Sequence, residues 1–204
     1  MMKQKNLLVY RIIIGLFLIL WGSNASADSG KFDRFSFGGK VGYFYMPDIA
    51  KFTANYSSSA NTYSIADNTS IGGFPFARFN FTRNIGIEAS YGFEGSDGPY
   101  LETWNALLVY TFLNEKTFQS YIKGGLVYGQ FEYENLPGDF SGGTGYELGA
   151  GFETTVDGNI AFTMDILYRD LSNKYNKASG VSPSTPDKID LSGFGAMLGF
   201  AVRF

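Results

Sequence analysis

The chain contains no histidine and no cysteine in its 204 residues. That removes the usual general base, the commonest metal ligand, the thiolate nucleophile and the histidine-dependent triads. Among the groups left that could move protons are charged side chains set within apolar-alternating segments: Lys40, Arg78, Glu88, Lys123, Glu147, Glu153, Asp165 and Arg203. Two carboxylates can share general acid and general base work. Glu147 with Glu153 or Asp165 is the pair such a mechanism would use. Mutual ion pairing accounts for the set better, because four of the eight are basic and four are acidic. The glycine sets Gly193, Gly195, Gly199 and Gly143, Gly145, Gly149 do not match the dinucleotide fingerprint, and neither opens a helix. The expectation is therefore no catalytic residue, no metal and no cofactor.

The eight charges share one property, which is their phase. Near the end of the chain, Phe194, Ala196, Leu198, Phe200, Val202 and Phe204 alternate with Gly193, Gly195, Met197, Gly199, Ala201 and Arg203. A period of two is a strand with two unlike faces. Bulk lies on one face and glycine and charge on the other, which suits lipid outside and a polar lumen inside. The same division recurs upstream. Val41, Tyr43 and Tyr45 oppose Lys40 and Gly42; Ile87, Ala89, Tyr91 and Phe93 oppose Glu88, Ser90 and Gly92; Tyr146, Leu148 and Phe152 oppose Glu147, Gly149 and Glu153. Every one of the eight charges falls opposite the apolar register. A basic residue on the lipid face at mid-depth costs about 2–4 kcal/mol, so this phase is a physical requirement of a membrane barrel.

Eight strands are predicted, near 34–46, 72–81, 85–94, 103–112, 118–133, 144–155, 162–169 and 193–204. Pro75 blurs the start of the second and suggests a bulge or an irregular entry. The connections near 82–84, 113–117 and 156–159 are short. Those near 47–70, 95–102, 134–143 and 170–189 are longer, polar and rich in Ser, Asn, Asp, Gly and Pro. Long and short connections alternating in this way predict an all-β, eight-stranded, antiparallel up-and-down transmembrane barrel. A lumen of that size is filled by side chains, so a salt-bridged plug is expected over a gated pore. A pore would show its hand through Arg78, Lys123 and Glu147. A soluble, lipocalin-like periplasmic barrel with its apolar face inward is the remaining architectural alternative.

Lys3, Lys5 and Arg11 precede an apolar run from Ile12 to Trp21 and an Ala25-Ser26-Ala27 triplet, the pattern of a cleaved export signal over residues 1–27. Residues 28–204 are then the barrel domain. Three of the 16 basic residues and none of the 19 acidic ones lie in that leader, so the remainder carries 13 against 19. An acidic remainder offers no footprint for nucleic acid. The 20 Phe, 14 Tyr and 2 Trp suit aromatic girdles at the membrane interfaces.

The leader, the alternating strands, the four long loops and the terminal Gly199, Val202 and Phe204 together resemble the small outer-membrane β-barrel family of the OmpA transmembrane domain, OmpX and the opacity-type surface antigens. The resemblance spans residues 28–204. It implies a bacterial outer-membrane location, a wall facing outer-membrane lipid and lipopolysaccharide, and a monomer. It also implies that Gly199, Val202 and Phe204 form the signal read by the barrel insertion machinery. The chain ends with the barrel, so a cell-wall tether is not implied. Enzymes of similar barrels use histidine, which this chain lacks. The expected role is non-enzymatic, with function on the exposed loops. Tyr56, Tyr63 and Tyr175 are the expected loop contacts with a surface ligand.

Overall fold

The computed structural model describes residues 33–55, 62–65, 67–95, 98–114, 117–133 and 138–204. The expected leader, Tyr56 and the side chain of Tyr63 lie outside the described residues. In chain order the strands are β1 (Phe35–Tyr45), β2 (Thr53–Asn55), β3 (Thr62–Ser64), β4 (Thr69–Asn80), β5 (Ile85–Gly95), β6 (Pro99–Asn114), β7 (Phe118–Tyr133), β8 (Gly138–Ser141), β9 (Gly143–Asp157), β10 (Ile160–Asp170), β11 (Ser172–Lys177), β12 (Lys188–Asp190) and β13 (Gly193–Arg203). A 3-10 turn covers Ile49–Lys51.

Eight of these strands close into a barrel in the order β1-β13-β10-β9-β7-β6-β5-β4. All neighbours are antiparallel, and β1 closes the ring by pairing with both β13 and β4. Closure leaves no strand edge unpaired in the wall, which a bilayer demands. The predicted phase is the observed one. Val41, Ile71, Leu108, Leu126, Phe194 and Phe200 face outward with more than half of their surface exposed. A contiguous exposed apolar surface of this kind does not survive in water and is what a lipid-facing wall requires. Charges inside and bulk outside is the reverse of a lipocalin-like barrel.

The turns at one end are built locally. Thr82 Oγ1 accepts from the N–H groups of Asn84 and Ile85, and Asn84 Nδ2 donates to Thr111 O at 2.6 Å. Gly158 supplies a positive φ of 50° to the tight connection between β9 and β10. Closure depends on small residues where β1 meets β13. Gly199 stands opposite Lys40, and a Cβ placed there would lie 2.1 Å from Gly39 O and 2.7 Å from Lys40 Cα. Both are backbone atoms of the facing strand and have no rotamer to yield. Gly199→Val is therefore expected to block closure, read as loss of the heat-modifiable folded band on an unheated gel. A normal folded fraction would show that the wall can widen at this seam.

The fold decides one expectation between its alternatives and corrects two others. Pro75 makes no bulge: its register with Gly39 is regular, and it points outward within β4. Its missing N–H instead interrupts the β4–β5 ladder between Gly73↔Phe93 and Phe76↔Ser90. Second, the connection expected over 95–102 is short, because β5 runs to Gly95 and β6 starts at Pro99. Tyr100 and Glu102 face out while Leu101 and Thr103 are buried, so the period of two continues through this segment. Third, the other long loops are not simply polar. They fold into a cap. β2 pairs with β3, and β12-β11-β8 form a small sheet. Beneath them Ile49, Phe52, Ala54, Ile65, Leu171, Tyr175, Val181, Ile189 and Leu191 pack with Met46, Leu101, Val127 and Phe131 in one apolar cluster.

Candidate functional site

The lumen gathers the charged side chains that sequence order keeps apart. Lys40 comes from β1, Arg78 from β4, Glu88 from β5, Lys123 from β7, Glu147 and Glu153 from β9, Asp165 from β10 and Arg203 from β13. All eight are buried. Glu88 is the hub. Its Oε1 accepts from Lys40 Nζ at 3.1 Å and from Lys123 Nζ at 3.0 Å, and its Oε2 accepts from Arg78 Nη2 at 2.6 Å. Asp165 Oδ2 lies 2.7 Å from Lys40 Nζ and 3.1 Å from Lys123 Nζ, while its Oδ1 accepts from Tyr121 Oη at 2.8 Å. Glu153 accepts from Arg78 Nη1 at 3.1 Å and from Arg203 Nε at 2.5 Å. The Arg78 guanidinium also rests on the Tyr121 ring, 4.5 Å from its centroid.

Seven of these charges have a counter-charge within hydrogen-bond reach, and Glu147 has its cation, Arg169 Nε, at 3.5 Å; such pairing is the condition under which burying ions is tolerable. Glu153 and Asp165 are each held by two cations, so neither is arranged as a poised acid or base. Interior space agrees with this. The void lined by Lys40, Phe74, Phe76, Glu88, Ser90, Asn105, Lys123, Glu147, Arg169 and Met197 measures about 10 Å³. A substrate pocket needs roughly 300 Å³ or more.

A second cluster joins charges that the sequence places in the inward phase but does not pair. Arg169 Nη1 donates to Glu94 Oε1 at 2.6 Å, and Arg169 Nε stands 3.5 Å from Glu147 Oε2. Glu94 also accepts from Ser70 Oγ at 3.1 Å, and the Arg169 guanidinium lies 4.5 Å from the centroid of the Phe44 ring. The phase of both was legible: Arg169 and Glu94 continue the inward registers of Asp165 and Glu88. Their pairing was not, because it joins β10 to β5 across the lumen. Tyr121, two residues before Lys123 and in its register, was missed.

The loop tyrosines fare differently. Tyr175 is not a surface contact. It is only 2% exposed and packs edge-on to Phe52 at 5.1 Å and against Phe140 at 5.0 Å. It sits on the inner face of β11, where alternation turns Lys174 and Asn176 outward instead. Two acids of the long loops have local partners. Asp48 pairs with Lys51, and Asp187 pairs with Lys177 at 2.8 Å. The hydrogen bond from Lys177 holds the Asp187 carboxyl below the usual range for aspartate. Of the terminal residues, Gly199 lines the β1–β13 seam, Val202 stands opposite Phe37 and Ile160 on the outer face, and Phe204 follows the last strand.

A closed eight-stranded antiparallel wall with an ion-paired lumen and an apolar exterior defines a small transmembrane β-barrel protein. The family described as "Outer membrane protein beta-barrel domain" matches residues 14–204, and the chain belongs to that family. Among solved structures the chain is similar to the outer membrane protein OprG of Pseudomonas aeruginosa, at 15% identity and a TM-score of 0.59, covering 85% of this chain and 97% of that one. It is similar to Neisserial surface protein A at 14% identity and a TM-score of 0.54, covering 83% and 97% respectively. The N-terminal β-barrel domain of Pseudomonas aeruginosa OprF aligns at 14% identity and a TM-score of 0.50, covering 82% and 97%. At such identities the likeness is one of fold. No curated protein matches the sequence.

Proposed function

We propose that this chain is a sealed, non-enzymatic barrel of the bacterial outer membrane whose folded cap is its working surface. The observation that carries the reading is the double filling of the interior. Ion pairs occupy the lumen, the apolar cluster under β8, β11 and β12 occupies the mouth, and the lumen void is about 10 Å³. In this reading residues 1–27 are the export signal, and Gly199, Val202 and Phe204 present the insertion signal to the barrel assembly machinery. The wall contacts outer-membrane lipid and lipopolysaccharide as a monomer.

The cap also constrains its partner. The large apolar side chains exposed among the described residues lie on the barrel strands, their short turns and the C-terminal residue. The described cap surface carries Lys174, Asn176, Asp139, Ser141, Lys188 and Asp190 instead. A partner for this surface is polar and hydrated, and it recognises hydrogen-bonding groups more than greasy ones.

The alternative of a small pore is tested directly. Mature protein refolded into liposomes, with folding checked by unheated-gel mobility, is expected to pass no ions or small solutes above the level of empty vesicles. Steady flux from the folded barrel would replace the sealed reading with a pore and make Arg78, Lys123 and Glu147 its selectivity residues.

A further inference from the structure

We infer that the lumen holds one structural water molecule, bound between Glu147, Asn105 and Arg169. Three observations converge on this point. Glu147 Oε2, Asn105 Oδ1 and Arg169 Nη2 have no hydrogen-bond partner among the described protein groups. All three residues are more than nine-tenths buried, and all three line the same void of about 10 Å³. That volume is about one water-sized sphere, and buried waters sit where two to four polar groups converge.

The chemistry of the lining selects the guest. Two of the groups are acceptors and one is a donor. A water molecule donates to Glu147 Oε2 and Asn105 Oδ1 and accepts from Arg169 Nη2, satisfying all three. A metal cation would face the guanidinium of Arg169 and the ammonium groups of Lys40 and Lys123, which line the same space. An anion would face the carboxylates of Glu88 and Glu147. Only a small neutral molecule with both donor and acceptor capacity meets every wall.

The two ion clusters orient it. Lys40, Arg78, Lys123 and Arg203 face Glu88, Glu153 and Asp165, four cations against three carboxylates. Arg169 faces Glu94 and Glu147, one cation against two. The excess positive charge of the first cluster and the excess negative charge of the second point the water hydrogens toward Glu147. Asn105 in turn donates from Nδ2 to Ser90 Oγ at 3.1 Å. The water thus joins the Arg169 cluster to the β5–β6 wall and completes a polar belt around the lumen.

Crystals of the folded barrel soaked in rubidium bromide test the site. Water-sized density within hydrogen-bonding distance of Glu147, Asn105 and Arg169, with no anomalous signal, is expected. An anomalous rubidium or bromide peak there, or no density there, would overturn the assignment. Asn105→Leu places a methyl-bearing side chain against the site. With folding confirmed by gel mobility, water relaxation dispersion is expected to count one fewer long-lived water than in the wild type. Lys188→Ala on the cap exterior serves as the control with an unchanged count. An unchanged count in the leucine variant would refute the inference independently of the crystals.

Discussion

Glu88→Gln is expected to lower the unfolding free energy by about 3–5 kcal/mol, the range for removing one partner of a buried ion network. The carboxylate is 1% exposed and stands within 3.1 Å of nitrogens from Lys40, Lys123 and Arg78. The amide keeps the shape and loses the charge. It also turns an NH₂ group toward cations that have no other use for a donor. Two carboxylates, Glu153 and Asp165, would then face four buried cations. Urea unfolding in lipid vesicles measures the effect. Asp187→Asn, which breaks the exposed pair with Lys177, is the comparison and is expected to leave the midpoint where it was, since exposed pairs contribute little. A Glu88 variant as stable as that control would mean the lumen charges are solvated after all, and the sealed reading would lose its basis.

The barrel was legible in the sequence because membrane physics writes it in a period of two. Glu88, Asp165 and Arg203 could be placed inside without any structure, since the opposite phase would put ions in lipid. Which ion meets which was not legible. Arg78 and Glu88 are opposed on adjacent strands, but Lys40 and Asp165 are far apart in sequence and meet only through closure. Pro75 left two outcomes open for a related reason. A proline costs the ladder one donor, and local sequence does not reveal whether the strand answers with a bulge or simply leaves a gap. The cap was the largest omission. Its apolar residues, Ile49, Phe52, Val181, Ile189 and Leu191, are single positions spread among Ser, Asn, Asp and Pro, with no sustained period to mark a buried face. The pairing of Tyr175 with Phe140 across β11 and β8 assembles them, and a long-range contact of that kind leaves no local trace. The same fact explains why Tyr175 read as exposed: a tyrosine in a polar loop looks like a contact residue until a second loop covers it.

Tyr175→Ala is expected to open the cap while the barrel wall stays closed. Truncating a buried aromatic side chain typically costs about 3–5 kcal/mol, and here the loss falls on a small unit. The ring touches Phe52 and Phe140, and Phe140 in turn packs on Phe131 at 4.9 Å. Through these rings the segment carrying β2, the segment carrying β8 and the wall strand β7 are joined to β11. The links that remain are polar and lie toward solvent for the most part, among them the β11–β8 and β11–β12 ladders, Ser182 N to Asn55 O, Asn176 Nδ2 to Ser141 Oγ at 2.8 Å and Asn55 N to Thr185 Oγ1 at 3.2 Å. Local opening draws on the free energy of the local unit, which is smaller than that of the closed wall. Trypsin is therefore expected to cut the variant at Lys174, Lys177 or Lys188 while the wild type resists, and both are expected to keep the heat-modifiable band of a folded barrel. Flux through the opened variant is expected to remain at the level of empty vesicles, because the ion pairs of Lys40, Lys123, Glu88 and Asp165 still fill the lumen below. Conduction by Tyr175→Ala alone would identify the cap as the sole seal and the ion network as permeable. A cap that stayed resistant to trypsin would show that its order does not rest on the ring cluster. The two seals lie in series, so a leak should require Tyr175→Ala and a lumen variant together, and the ordering of single and double variants separates a lid from a plug.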